Sequence, residues 1–209
     1  MAGRKPLDRD TLSIKALDVA ETIIGERGLS ALNARELAQG VGCSVGSLYN
    51  MFGSLDRLVR ILNTRTLEKL YEAMKTAVPK RGSPEDRMAA LACAYIEFAA
   101  ERPHLWRAVF DHKMPEGNPK VEWYGESIER MASLAVKIIS PLFKPEELWA
   151  ARHVATIIWS GVHGICALSL ADNLAYVTKE DSRDLARDLV RGYLAGISHG
   201  DLSKLFRRD

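Results

Sequence analysis

Residues 33–52 constrain the fold more than any other part of the chain, because they contain two short helical patterns joined at Gly42. In both patterns apolar residues recur three or four positions apart, which predicts helices with one buried face. These apolar positions are Leu37, Ala38, Val41, Leu48, Met51 and Phe52. Gly42 stands where the first helix must end, and glycine readily adopts the left-handed backbone of such an ending. Two helices joined by a turn of about three or four residues containing glycine indicate a helix-turn-helix, whose second helix enters the DNA major groove.

Polar residues at the helix starts support the same interpretation. Asn33 can cap the first of these two helices, and Glu36 three residues later completes a pair resembling a capping box. Ser44 can cap the second helix. Ala38 is small at the place where the two helices come closest.

The rest of the chain favours the helical period, and strand-like alternation does not persist in it. We therefore predict an all-α fold. Besides the helix-turn-helix, helices are expected at about residues 8–27, 55–78, 84–102, 104–110, 121–139, 146–172 and 182–198. The segment P-K-R-G-S-P at residues 79–84 is the expected domain boundary. The predicted division is an N-terminal helix-turn-helix DNA-binding domain (1–54), a connecting helix (55–79) and a larger C-terminal ligand-binding and dimerisation domain (80–209).

Charge and cysteine content narrow the cellular context. A net charge of +2 over 209 residues gives little whole-protein attraction to nucleic acid. The basic residues ahead of the first helix, Arg4, Lys5 and Arg9, can reach phosphates or the minor groove, or form a solvated terminus. The 3 cysteines show no CxxC pair, and the N-terminus lacks a signal-peptide pattern. We therefore expect reduced thiols and a cytoplasmic protein.

Residues 154–171 form an uncharged stretch that is about as long as a minimal membrane span. They also contain four polar side chains and two glycines, and their flanks show no clear charge asymmetry. We therefore expect a helix buried on two faces and no membrane partner.

The helix-turn-helix and its flanks resemble the DNA-binding domain of TetR-type bacterial transcriptional repressors. The resemblance is carried by A-L-D-V-A-E-T-I-I-G-E-R-G-L at residues 16–29 and Y-N-M-F-G-S-L-D-R-L-V at residues 49–59. One departure is Leu55, because family members commonly have lysine there and that lysine usually contacts a phosphate. The segments Y-I-E-F-A-A-E-R-P-H-L-W-R-A-V-F at residues 95–110 and W-S-G-V-H-G at residues 159–164 look like the WHG type of TetR C-terminal domain.

The predicted recognition helix, residues 45–52, contains no arginine, lysine or acidic residue, so bidentate arginine–guanine pairs are excluded from its interior. Asn50 can read adenine or bind phosphate. The resemblance favours phosphate contacts for Tyr49 and Asn50 and a base-edge role for residues 45–47, although the Tyr49 ring could instead pack on the core. Arg35 is placed for a phosphate or a nearby base, and Arg57 can replace part of what Leu55 lacks. The predicted DNA-binding residues are Arg4, Lys5, Arg35, Ser44, Val45, Gly46, Ser47, Tyr49, Asn50 and Arg57.

Useful specificity requires two such heads, which implies a homodimer whose recognition helices lie about 34–36 Å apart. The helix at residues 146–172 is apolar nearly all round, and each glycine inside it costs about 1 kcal/mol relative to alanine. Close approach of another backbone would explain the glycines, so we predict a four-helix bundle between subunits. The predicted interface residues are Val154, Ile158, Gly161, Ile165, Leu185, Leu189 and Tyr193.

Aromatic and polar residues concentrate between residues 95 and 159, and His163 follows on the same helix as Trp159. They form either a ligand pocket or an ordinary core. The resemblance implies that a small molecule held there shifts the separation of the DNA-binding heads, with the fourth helix as the connection. The predicted pocket residues are Tyr95, Phe98, His104, Trp106, Phe110, Trp123, Trp159 and His163.

Other classes of function have less support. His163 and Cys166 lie three apart on one helix, but no third ligand is nearby in sequence, so we predict no metal and no other cofactor. No motif of an enzyme site is present. A helical interaction module that has lost DNA binding remains an alternative, and Leu55 and the low net charge favour it. The prediction is a one-component regulator, a repressor released from a palindromic operator by a small apolar effector, although the sequence does not separate repressor from activator.

Overall fold

The computed structural model describes residues 8–112 and 122–198, and over these residues the chain is helical and without strands. The nine α-helices of the described residues are α1 (Arg9–Arg27), α2 (Ala34–Val41), α3 (Val45–Phe52), α4 (Leu55–Ala77), α5 (Pro84–Glu101), α6 (Pro103–Asp111), α7 (Glu122–Ile139), α8 (Leu148–Leu170) and α9 (Ser182–Ser198). Short 3-10 turns lie at Leu29–Ala31, Ser140–Leu142, Pro145–Glu147 and Leu174–Tyr176. The helical fold class is therefore confirmed.

The predicted capping residues are in place. The Asn33 side chain accepts from the backbone N–H of Glu36 at 2.9 Å, and its amide donates to the Glu36 carboxylate at 3.1 Å. Ser44 accepts from the backbone N–H of Ser47 at 3.0 Å. Because these bonds satisfy N–H groups that a helix leaves open at its start, they define where α2 and α3 begin.

The described residues fall into two compact units. The first unit contains residues 8–67 and 102–112. Its core is formed by residues of α1, α2, α3 and α4 together with Leu105 and Ala108 of α6. Asn63 in α4 donates a buried hydrogen bond of 2.9 Å to the carbonyl oxygen of Ala108. Helix α6 therefore belongs with the helix-turn-helix, whereas the predicted boundaries placed it in the C-terminal domain.

The second unit contains residues 68–101 and 122–198. Helix α5 lies at its centre and packs on α7, α8 and α9. Helix α9 contributes the apolar stripe Ala186, Val190, Leu194 and Ile197 to this core. Since α5 buries residues on most of its circumference, it has little surface left for solvent.

Helix α8 buries one apolar stripe and exposes another. Ala151, Val154, Ala155, Ile158 and Val162 are buried, whereas Ile157, Trp159 and Leu168 are exposed. By length and composition alone, Pro145–Leu170 could cross a membrane, and 28% of its most apolar window is buried. Core helices of water-soluble proteins pass the same test, so this feature is weak support for a membrane span.

Candidate nucleic-acid interface and ligand cavity

The turn between α2 and α3 is built around Gly42, which has φ +80° and ψ +36°. The N–H groups of Gly42 and Cys43 both donate to the carbonyl oxygen of Ala38, at 2.9 and 3.0 Å. This is how a left-handed glycine ends a helix and satisfies its last carbonyls. Lys15 adds a hydrogen bond of 2.6 Å from Nζ to the carbonyl oxygen of Val41, so α1 also fastens the end of α2.

The outward face of α3 carries uncharged hydrogen-bonding groups. Gly46, Asn50 and Tyr49 are exposed, and 46% of Tyr49 is accessible. Val45 and Ser47 are half-buried, and the Ser47 hydroxyl is hydrogen-bonded to the exposed Ser44 hydroxyl at 2.9 Å. The exposure of Tyr49 argues against the alternative that its ring is a core residue. The inward residues Leu48 and Phe52 are buried, so α3 is anchored on one side and open on the other.

Three arginines flank this face. Arg35 at the start of α2 and Arg57 at the start of α4 are exposed. Arg9 donates from Nη2 to the carbonyl oxygen of Asn50 at 3.0 Å, which places its positive charge at the end of α3. Sequence reasoning assigned Arg9 only to the basic arm, and no spacing signal indicated this contact. The other two predicted arm residues, Arg4 and Lys5, lie outside the described residues.

Leu55 has a packing role that explains why it departs from the family pattern. It is partly buried and packs against the core of the first unit. A lysine at this position would lose part of that apolar burial.

A cavity of about 200 Å³ lies inside the second unit, bounded by α4, α5, α7 and α8. Its walls are predominantly apolar. The lining residues are Met74, Met88, Leu91, Ala92, Tyr95, Ile128, Met131, Ala132, Ala135, Arg152, Ala155, Thr156, Ile158, Trp159 and Val162. Methionine side chains adapt easily to different shapes, so Met74 of α4, Met88 of α5 and Met131 of α7 favour a site that accepts apolar molecules.

Few polar groups reach this cavity. The Tyr95 hydroxyl and Nδ1 of His163 share a hydrogen bond of 2.8 Å, and the His163 ring packs on Trp159 with centroids 5.2 Å apart. Burial lowers the pKa of His163 below its ordinary value, so the neutral imidazole is favoured. At the edge, Nη1 and Nη2 of Arg152 donate to the two carboxylate oxygens of Glu129, each at 2.6 Å. The Glu129 bonds raise the pKa of Arg152, so its charge stays in place.

The predicted pocket set requires correction. Tyr95 and Trp159 line the cavity, and His163 contacts both of them. Phe98 is buried but does not line the cavity. The α6 residues belong to the first unit, because Pro103 begins a new helix that packs on α1; these residues are His104, Trp106 and Phe110. The Trp123 side chain lies outside the described residues. The missed methionines occur at ordinary core spacing, which gave no signal of a cavity.

The predicted dimer interface also requires correction. Val154 and Ile158 are only 0% and 1% exposed within their own subunit, because this stripe of α8 faces α5 and α7. A Cβ added at Gly161 would lie 2.6 Å from Cδ2 of Leu189, so this glycine admits α9 of the same chain. The remaining predicted residues are half-buried: Ile165, Leu185, Leu189 and Tyr193.

No group of three histidine, cysteine, aspartate or glutamate side chains in residues 8–112 and 122–198 could hold a metal ion. Burial raises the pKa of Cys166 to about 12, so its thiol stays protonated at neutral pH. His163, its neighbour one helical turn away, is occupied with Tyr95.

A helix-turn-helix unit and a second helical unit on one chain are typical of a DNA-binding transcriptional regulator. Residues 16–60 match the family model for bacterial regulatory proteins of the tetR family. Residues 88–193 match the model for the tetracyclin repressor-like C-terminal domain. The chain belongs to the TetR family, whose members are DNA-binding transcriptional regulators and not enzymes.

Relatives agree with this assignment. The chain is 34% identical over 94 residues to the HTH-type transcriptional repressor KstR2 of Mycobacterium tuberculosis, a match that covers 45% of this chain and 46% of the relative. It is 25% identical over 181 residues to the uncharacterized HTH-type transcriptional regulator YobS of Bacillus subtilis, with 87% and 90% covered. A solved structure of a protein with unknown function from Rhodococcus sp. RHA1 superposes with a TM-score of 0.73 at 22% identity, covering 92% and 98%, and supports the fold.

Proposed function

We propose that this TetR-family regulator is a dimeric cytoplasmic repressor that leaves a palindromic operator when a small apolar molecule enters its cavity. The observation that carries the proposal is the uncharged, outward face of α3 on a firmly anchored helix-turn-helix. The similarity to a named repressor over 94 residues supports repression over activation.

DNA recognition in this proposal divides between base edges and phosphates. Val45, Gly46 and Ser47 occupy the first turn of α3, where a recognition helix contacts base edges. Val45 would contact a thymine methyl group, and Gly46 would allow close approach of the backbone. Tyr49 and Asn50 would bind phosphates, since hydrogen bonds to phosphate oxygens position a protein on the duplex.

The dimer would use the exposed stripe of α8 together with α9. Ile157, Gly164, Ile165 and Leu168 recur at helical spacing on the side of α8 that the subunit core leaves uncovered. A Cβ at Gly164 would meet no described atom within 4 Å, so a second backbone has room to approach. An isologous contact of α8 and α9 with their copies would form a four-helix bundle.

The effector would be apolar, with at most one strong hydrogen-bonding group. Tyr95, which is hydrogen-bonded to His163, offers one such group in a predominantly apolar wall, with Arg152 engaged by Glu129 at the edge. Binding changes operator affinity only if the ligand prefers one of two conformations. Helix α4 would couple ligand binding to DNA binding, because it begins three residues after α3 and places Met74 in the cavity wall.

The test is a mobility-shift titration of the purified chain on the upstream intergenic region at several salt concentrations. Specific binding that weakens steeply with salt supports the proposal, because phosphate contacts release counterions. Absence of binding at low salt would instead favour an interaction module without DNA. Repeating the titration with a panel of apolar compounds tests the release step, and no change in affinity with any of them would count against it.

A further inference from the structure

A second concave site lies in the second unit, on the other side of α7 from the apolar cavity. This basic groove has a volume of about 500 Å³ between the end of α4, the loop after it and α7. We define the basic groove by its lining residues, which are Tyr71, Lys75, Val78, Pro79, Lys80, Arg87, Glu129, Arg130, Ser133, Leu134, Lys137 and Ile138. Its volume falls within the range of roughly 300–1,000 Å³ typical of small-molecule sites.

The charges of the basic groove are strongly unequal. Among the described lining residues five are cationic, and Glu129 is the one carboxylate. The cationic residues are Lys75, Lys80, Arg87, Arg130 and Lys137. Since the whole chain carries a net charge of only +2, this local excess is not a property of the entire surface.

Three of these cationic side chains make contacts that hold them in place without neutralising their charge. The Arg130 guanidinium lies 4.4 Å from the centroid of the Tyr71 ring, and Lys75 Nζ lies 5.6 Å from it. Arg87 donates from Nε to the carbonyl oxygen of Pro79 at 3.1 Å, which ties α5 to the loop. Stacking on an aromatic ring orients a guanidinium and leaves its N–H groups available.

Neighbouring carboxylates neutralise only part of this charge. Lys75 pairs with Glu72 at 3.2 Å and Arg130 with Glu68 at 3.5 Å, both at exposed positions. Lys80 and Lys137 form no ion pair with any residue in the described part of the chain. Exposed pairs are weak, so a ligand with several negative charges could displace them.

Glu129, the carboxylate of the basic groove, is already paired with an arginine of the apolar cavity. Arg152, which lines the apolar cavity, binds Glu129 with two hydrogen bonds, and this pairing lowers the pKa of Glu129. The ion pair joins α7 to α8 and separates the two sites. Its effect on the groove is to reduce the repulsion that Glu129 would exert on an anion.

We propose that the basic groove binds a small phosphate-bearing anion with at least two negative charges. Lysine and arginine are the preferred partners of phosphate. Five of them around one concavity suit a ligand with several negative charges better than a ligand with a single carboxylate group. The apolar floor formed by Val78, Leu134 and Ile138 leaves room for a non-phosphate part of the ligand. The described lining of the basic groove shares no residue with the lining of the apolar cavity.

The experiment is isothermal titration calorimetry of the full chain with inorganic pyrophosphate at low and high salt. Replacing both Lys80→Gln and Lys137→Gln should weaken pyrophosphate binding by about tenfold or more, since each charged hydrogen bond accounts for about that factor. The matched control combines Lys144→Gln and Lys179→Gln, which are exposed and lie outside the groove. It makes the same charge change and should leave binding unaltered.

A third variant gives a change of opposite sign. Glu129→Gln removes the only carboxylate of the groove and should tighten pyrophosphate binding by about two- to fivefold. The proposal is overturned if the wild-type chain does not bind pyrophosphate at low salt, or if the control double variant weakens binding as much as the groove variant. It is also overturned if the groove variant loses only DNA affinity, because the groove would then face nucleic acid. Operator binding by the wild type is scored separately, so failure here leaves the proposed function intact.

Discussion

The helix-turn-helix and the ligand cavity are built by different kinds of interaction. In the first, glycine and capping side chains act within a few residues of the backbone groups they satisfy, as Gly42 does for Ala38 and Ser44 for Ser47. In the second, four helices from distant parts of the chain surround a space that no local pattern marks. Local chemistry therefore specifies which face of α3 is exposed, whereas tertiary packing forms the apolar cavity.

The largest effect is expected from removing a buried residue beneath the recognition helix. Leu37 is 0% exposed in the core of the first unit, and Leu37→Ala should lower the free energy of unfolding by about 2–5 kcal/mol. Thermal denaturation followed by circular dichroism measures it. Leu148→Ala is the control, because Leu148 is 49% exposed and should change stability by less than about 0.5 kcal/mol. Equal losses in both variants would contradict the described core.

A smaller effect, confined to DNA, is expected at the surface of α3. Asn50→Ala removes an exposed amide and should weaken operator binding about tenfold, with the melting temperature unchanged. Fluorescence anisotropy with a labelled operator fragment measures the affinity. Asn173→Ala removes an equally exposed amide far along the chain and should leave affinity unaltered. If the two variants bind alike, the face around Asn50 does not contact DNA.

Filling the cavity should separate ligand binding from stability. Ala132 lines the cavity on α7, and Ala132→Phe should abolish binding of an apolar fluorescent dye while changing stability by no more than about 1–3 kcal/mol. Ala195→Phe places the same ring at an exposed position of α9 and should leave dye binding intact. Unchanged dye binding in the Ala132 variant would show that the cavity is not the binding site.

The smallest effect is a pH dependence from His163. Burial lowers its pKa below the ordinary value of 6.5, so the unfolded chain binds a proton more readily than the folded one. Stability should therefore fall as the pH drops through 6.5 and stop falling below the folded pKa. Melting temperatures at about pH 8 and pH 5.5 should differ less in His163→Asn than in the wild type. The control is His153→Asn at an exposed position, which should keep the pH dependence of the wild type. If His163→Asn also kept it, the pH dependence would not come from His163.

Sequence reasoning succeeded where a residue acts on its own neighbourhood. The ends of α2 and α3 were predictable, because Asn33, Gly42 and Ser44 satisfy backbone groups no more than four residues away. The exposure of Tyr49 and Asn50 followed from the helical period once those ends were known. The outward uncharged face of α3 could thus be predicted from the residues alone.

Predictions from the sequence were wrong where one hydrophobic pattern is compatible with two packing arrangements. Helix α8 is apolar on two sides, so its hydrophobic period does not show which side faces the subunit core. In the structure Val154 and Ile158 are buried in that core, whereas Ile157 and Leu168 are exposed. Gly161 indicated close approach correctly, but the approaching residue is Leu189 of the same chain. The return of α6 to the first unit depends on contacts such as Asn63 with Ala108, which are 45 residues apart.

Hydroxyl-radical footprinting of the operator, with the wild type and Asn50→Ala side by side, tests most directly whether paired α3 helices read DNA. We expect two protected segments related by two-fold symmetry and centred about 10–10.5 base pairs apart, or a multiple of that spacing, and both should need about tenfold more protein in the variant. A single unsymmetrical protected segment, or protection that persists unchanged in Asn50→Ala, would contradict recognition by two copies of this face.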